Sequence, residues 1–297
     1  MSRTVVAGYD GSAESRAAAE WGAREARLLG AELRLVSVRE PVPLSYAALA
    51  EGRRDETDQV ARAAVDGLRL RHPAVDVSLV RLSGRPGELL AAAVDDAGLL
   101  VLGSRGLSGF GGFLVGSVGQ AVVARTRRPV VLVRAGEQAA DEHAHDPSGI
   151  PSAAAPYRPV VLGLDTEGPD TALLTFAFEA AARRDTALRV LHSWPLPPYF
   201  AYGLPEDPEL DARLAVDDAA ALSEILGPWR RKFPSVVVRE ESRPGKPAAH
   251  LTEASKDASL VVVGRRVRSS PIGGRIGPVT HAVLHHSAAP VAVVPHD

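Results

Sequence analysis

Short runs of valine and leucine alternate with longer amphipathic segments along this chain. Thr4–Gly8, Glu32–Val38, Asp76–Leu82, Leu99–Leu102 and Val130–Val133 are nearly unbroken apolar runs. That pattern predicts parallel strands covered on both faces. Between the first two runs, "SAESRAAAEWGAREARLLG" places Ala17, Trp21 and Leu28 on one helical face, with Ala18 and Leu29 alongside. Ser12 supplies an N-cap, Glu14 suits the first turn, and Gly30 ends the helix. A second helix is predicted over Glu56–Arg71, stopping before Pro73; "PGELLAAAVDD" gives a third and "VGQAVVART" a fourth. Strands alternating with helices imply a parallel α/β sheet with right-handed crossovers.

The same pattern occurs twice. "VVAGYDGS" from Val5 is echoed by "VVLGLDTE" from Val160, so that Gly8 and Asp10 align with Gly163 and Asp165, an offset of 155. "AELRLVSV" from Ala31 matches "TALRVLHS" from Thr186 at the same offset. "GRPGELL" at Gly84 matches "GKPAAHL" at Gly245, and "LLVLG" ending at Gly103 matches "LVVVG" ending at Gly264, both now offset by 161. "RRPVVLV" and "AAPVAVV" close the two copies. Two domains of one kind are therefore expected, at 1–135 and 156–297. Residues 136–155, polar and rich in Ala and Pro without a hydrophobic period, read as a linker. His143 and His145, with Glu142 and Asp146, carry metal-binding atoms, but a flexible linker would first have to order itself.

Length and composition fit that division. A chain of 297 residues, 45% apolar and 24% charged, accommodates two ordinary globular domains. A net charge of −2 supplies no field to attract nucleic acid or an anionic membrane surface. The absence of cysteine excludes disulfides, thiol catalysis and cysteine-based zinc sites. With neither an apolar leader before the first strand nor a run long enough to span a bilayer, a cytoplasmic protein is expected.

Candidate chemistry concentrates in "GSRGLSGFGGFLVGS", Gly103 to Ser117, which holds six glycines between a strand and a helix. Ligands of open α/β sheets bind beyond the carboxyl ends of the strands. The first N–H groups of a helix have no intrahelical partner, and they lie at the positive end of its dipole. Glycines let an anion approach that backbone, and Ser117 adds a hydroxyl, so the segment has the makings of a phosphate cradle. Arg125, Arg127 and Arg128 fall near the far end of the helix. The other reading is a surface loop whose glycines supply flexibility, although Leu107, Phe110, Phe113 and Leu114 favour a packed one. Neither G-x-x-x-x-G-K-[ST] nor a G-x-G-x-x-G after the first strand occurs.

Gly103-x2-Gly106-x9-Gly116-Ser117, together with Asp10 closing the first strand, resembles the nucleotide loop of the universal stress proteins. The resemblance covers both copies and is similar to the tandem members of that family. It implies five parallel strands per copy in the order 3-2-1-4-5, a Rossmann-like fold of the adenine nucleotide alpha hydrolase kind. It implies ATP as ligand, and pairing of two domains through their last strands. Carried over, Asp10 stands at the nucleotide, Val38 meets the adenine through its backbone, Gly103 and Gly106 follow the ribose–phosphate path, and Gly116, Ser117 and Val118 hold the phosphates. By its chemistry Asp10 can accept ribose hydroxyls or help hold Mg²⁺; it can equally be a turn residue before Gly11. Arg105 could reach a phosphate or stay solvated.

The second copy departs from the pattern. Val267 replaces the second motif glycine and Pro278 the serine, which removes one N–H and one hydroxyl from its cradle. Asp165, Gly264, Gly273, Gly274 and Gly277 persist, and Arg265, Arg266, Arg268 and Arg275 add charge, so weaker binding there is expected. His281 and His285 are one helical turn apart but have no evident third ligand, and a structural role is expected for them. With no Walker lysine and no general base beside the loop, the chain reads as a regulatory ATP-binding module of the stress response, not an enzyme. The alternatives are a weak ATPase or phosphotransferase, and a nucleotide-free dimerisation scaffold. "PVVLV" and "PVAVV" are apolar terminal strands whose mutual pairing would cover both, and a homodimer is a further expectation.

Overall fold

The computed structural model describes the chain except for residues 1–3, 42–46, 107–112, 115, 147, 196–198, 200–206 and 268–275. Of residues 47–57, 105–106 and 113–114 it describes the backbone alone. Two compact units are found, one of Met1–Ala139 with Val267–Ile276, the other of Ala140–Arg266 with Gly277–Asp297.

In the first unit the elements run β1 (Thr4–Gly8), α1 (Ala13–Leu29), β2 (Glu32–Arg39), α2 (Ala47–Arg71), β3 (Val77–Ser83), α3 (Pro86–Ala92), β4 (Leu99–Gly106), β5 (Phe113–Leu114), α4 (Ser117–Arg125) and β6 (Val130–Arg134). The principal strands are all parallel, in the order β3-β2-β1-β4-β6. Counted without the two-residue β5, this is the 3-2-1-4-5 arrangement. Adjacent residues of β1 show why helices cover both faces. Ala7 lies under Gly22 of α1, while Gly8 turns toward Leu90 of α3. Val5, Val6, Leu33, Leu35, Leu100 and Val131 are fully buried between these layers, with Trp21 of α1 only 1% exposed.

The second unit repeats the plan with β7 (Val160–Gly163), α5 (Thr171–Arg183), β8 (Leu188–Trp194), α6 (Pro208–Lys232), β9 (Val238–Pro244), α7 (Pro247–Ala254), β10 (Leu260–Arg266), α8 (Pro278–His286) and β11 (Val291–His296). Its order is β9-β8-β7-β10-β11, again parallel. Phe178 of α5 packs against Trp229 and Phe233, at ring distances of 5.7 and 5.4 Å.

Three segments differ from expectation. α2 starts at Ala47, nine residues before Glu56, through a polar stretch that carries no apolar period. β4 continues four residues beyond Leu102 and turns back as β5, pairing Arg105 with Leu114 and Gly106 with Phe113. The segment expected as a bare linker is partly ordered by its backbone. Ala139–Glu142 form a 3-10 turn, Ala144 N–H donates to Pro156 O at 2.9 Å and Arg158 N–H to Glu142 O at 2.9 Å. The His143 ring lies 4.0 Å from that of Tyr157. Main-chain bonds of this kind leave no trace in hydropathy.

Candidate functional site

The order β2-β1-β4 brings the carboxyl ends of three neighbouring strands to one edge, and each ends in a residue named by the sequence. β1 leads into Asp10. Gly11, at φ +84°, makes the sharp turn into α1. Asp10 Oδ1 accepts the Ser12 N–H at 3.0 Å and the Ser12 hydroxyl at 2.6 Å. Burial pushes its carboxyl up, but the bonds from Ser12 and Ser15 outweigh that and hold its pKa below the usual carboxylate range. Asp10 is therefore both the turn residue and an exposed, ionised carboxylate at the strand end. The two bonds from Ser12 share one oxygen.

Val38 is placed by register. β1 ends with Gly8 opposite Val36, and Tyr9 N–H donates to Val36 O at 2.9 Å. Arg39 turns its carbonyl the other way, accepting Gly84 N–H at 2.8 Å. Backbone groups alternate along a strand, so Val38 faces the β1 side, where no strand residue lies opposite it. Its amide and carbonyl are thus presented to whatever occupies that edge.

The glycines divide into two kinds. A Cβ on Gly103 would stand 2.4 Å from the carbonyl carbon of Glu14, so this glycine lets the first turn of α1 close on β4. It therefore has a packing role, whatever its expected place along a ligand path. Gly106 belongs to the β4–β5 hairpin. Gly116 is the N-cap of α4, with φ −61° and ψ 163° and no side chain capping the helix. A Cβ there meets nothing within 4 Å among the described residues. Gln120 N–H makes the first helical bond, to Gly116 O at 3.0 Å. The amides of Ser117, Val118 and Gly119 precede that bond, and Ser117 is exposed beside them. This is an anion site in chemical terms: open backbone donors at a helix start, with a hydroxyl at hand.

The second half is built differently at the aligned places. Asp165 is exposed and accepts Glu167 N–H at 3.1 Å. Gly264 has no room for a Cβ, which would lie 2.6 Å from His296 Nε2. Gly277 caps α8 and is open. Pro278 follows it, and Thr280 Oγ1 donates to Gly264 O at 2.8 Å, tying the helix start to β10. Arg265, expected to add charge to the cradle, is 3% exposed, and burial pulls its pKa below the ordinary value. Arg266 is exposed. The rings of His281 and His285 lie 4.4 Å apart. Among the described residues, no group of three or more His, Cys, Asp or Glu could hold a metal ion. No helix there is long and apolar enough to cross a membrane. Leu107, Phe110, Arg268, Gly273, Gly274 and Arg275, and the side chains of Arg105, Phe113 and Leu114, lie outside the described residues.

Comparison with known proteins agrees with the repeat. A model of the universal stress protein family matches residues 1–134 and again 156–295. A universal stress protein of Mycolicibacterium smegmatis is 31% identical over 307 residues, covering 98% of this chain and 96% of that one. One from Mycobacterium tuberculosis H37Rv is 30% identical over 305 residues, covering 97% and 96%. Among solved structures, a universal stress protein from Archaeoglobus fulgidus superposes with a TM-score of 0.71 at 19% identity, covering 100% of both chains.

Proposed function

Because the chain belongs to the universal stress protein family, we propose that its first half binds ATP as a regulatory ligand. The start of α4 carries this reading, since it follows β4, the neighbour of the strand that leads into Asp10 and, one further on, of the strand that carries Val38. The phosphates sit on the amides of Ser117, Val118 and Gly119, with the Ser117 hydroxyl beside them. Asp10 accepts the ribose hydroxyls, or helps hold an accompanying Mg²⁺. The backbone of Val38 reads the edge of the adenine. Binding stabilises the liganded arrangement by linkage, and turnover is not required. Pairing of the halves through their apolar terminal strands belongs to the same proposal, as does a cytoplasmic homodimer.

Calorimetry with ATP on wild type and Gly116→Ala tests it. An alanine at Gly116 meets no atom of the described residues, so lost affinity reports the ligand. Losing close approach to one or two charge-assisted bonds is expected to weaken binding roughly 10- to 1,000-fold. Equal affinity in the two proteins would remove the phosphates from this helix start. Efficient multiple turnover, lost in Asp10→Ala, would replace the regulatory reading with an enzymatic one.

A further inference from the structure

The second half contains a polar cluster around a buried histidine, built from other residues than those at the matching place in the first. His192, on β8, is 7% exposed. Its Nδ1 lies 2.9 Å from the carbonyl oxygen of Leu164, just past β7. Its Nε2 lies 3.2 Å from Asp218 Oδ2 on α6 and 3.3 Å from Thr166 Oγ1. The Ser242 hydroxyl of β9 donates to the same Asp218 oxygen at 2.7 Å. One imidazole therefore joins the edge of the sheet to the helix above it.

A carbonyl and a carboxylate can only accept hydrogen bonds. A ring with one nitrogen facing each satisfies both only as the imidazolium. The neutral ring keeps Nδ1–H on Leu164 and turns a lone pair toward Asp218, leaving Thr166 as the donor at hand. Asp218 and Thr166 share one nitrogen, and the carbonyl takes the other. The ring is therefore not aligned to pass a proton between acid and hydroxyl as a catalytic triad does. The repeat places Ser37 at the position of His192 and Tyr9 at that of Leu164. In the first half, Asp58 of α2 is held instead by Arg39 and Arg81, whose charges do not titrate near neutrality.

We propose that His192 is a proton-operated latch on the second half. As the imidazolium it clamps the end of β7 to α6 through Asp218; on losing its proton it releases the helix side. Several described ionisable groups nearby have partners of their own. Asp165 turns its Oδ1 to Glu167 N–H, and His250 of α7 is engaged by Ser193 Oγ at 3.0 Å. Glu241 and Arg243 of β9 pair with each other at 2.6 Å and alternate with Ser242, so they stand on the opposite face. The imidazolium can donate to both acceptors and the neutral ring to only one, so the clamp holds while the ring carries both protons and is lost with one of them.

The test is amide hydrogen exchange on the full chain at about pH 5.5 and about pH 8, corrected for intrinsic rates. Protection of α6 around Asp218 is expected to be about tenfold higher at the lower pH, the scale of one charge-assisted bond. α2 around Asp58 is expected to show no such change. Asp218→Asn should abolish the pH dependence, and ¹⁵N imidazole spectra of the wild type should show both His192 nitrogens protonated at the lower pH. Protection independent of pH, an equal pH dependence in Asp218→Asn, or a ring that stays neutral throughout would each overturn the proposal. No nucleotide enters this experiment, so its outcome is separable from the binding proposal.

Discussion

At the scale of single residues, Gly103 and Gly116 look alike in the sequence and meet opposite demands. The space of a Cβ at Gly103 is already taken by the backbone of Glu14, whereas at Gly116 it is empty. Gly103→Ala must push α1 off β4, and overpacking of this kind costs about 1–3 kcal/mol. Gly116→Ala is expected to stay within about 0.5 kcal/mol of wild type. Urea unfolding followed by fluorescence checks both, with Trp21 of α1 as the tryptophan of the first half. A destabilised Gly116→Ala, or an unaffected Gly103→Ala, would reverse the two assignments. The packing demand at Gly103 was not legible in the sequence, because a missing side chain looks the same whether ligand or protein fills the space. Asp10 was legible in both its roles, since an aspartate before glycine at a strand end turns the chain and still presents a carboxylate.

Elements were legible wherever burial imposed a period. The five principal strands of the first half and the start and stop of α1 follow from hydrophobic runs and capping residues alone. The β4–β5 hairpin and the ordered connector are held by backbone bonds, and hydropathy does not register them. The His192 cluster was missed because its members come from strands and a helix far apart in sequence. Comparing the copies position by position, serine at 37 against histidine at 192, was the signal available. The α1 cap makes a prediction at this scale. Ser12 Oγ accepts the Ser15 N–H at 3.1 Å and donates to Asp10. Ser12→Ala removes both bonds, at a cost of about 1 kcal/mol for the cap. The Asp10 carboxyl should then titrate higher than in wild type, read by ¹³C NMR. A carboxylate whose pKa is depressed on folding stabilises the fold above its unfolded pKa and loses that contribution as pH falls through its folded value. Acid destabilisation of the first half should therefore be shallower in Ser12→Ala. An Asp10 titration unmoved by the substitution would show that Ser12 is not what depresses it.

For the whole molecule, duplication of the fold has not duplicated the residues of the proposed site. At the second helix start, Pro278 contributes neither amide nor hydroxyl, the neighbouring Thr280 is tied to Gly264, and Arg265 is buried. Just past β7, the Leu164 carbonyl is taken by His192, where the first half has Ser37. On the proposed binding, two lost charge-assisted bonds of about 1.5–3 kcal/mol each would separate the affinities by roughly two to four orders of magnitude. Titration with ATP should accordingly give one tight site per chain. Gly116→Ala should weaken that site, while Gly277→Ala, equally free of clashes, should leave it unchanged. Two equivalent sites per chain, or tight binding lost in Gly277→Ala, would mean that amides beyond the proline suffice, and that the substitutions around α8 did not retire the second cradle.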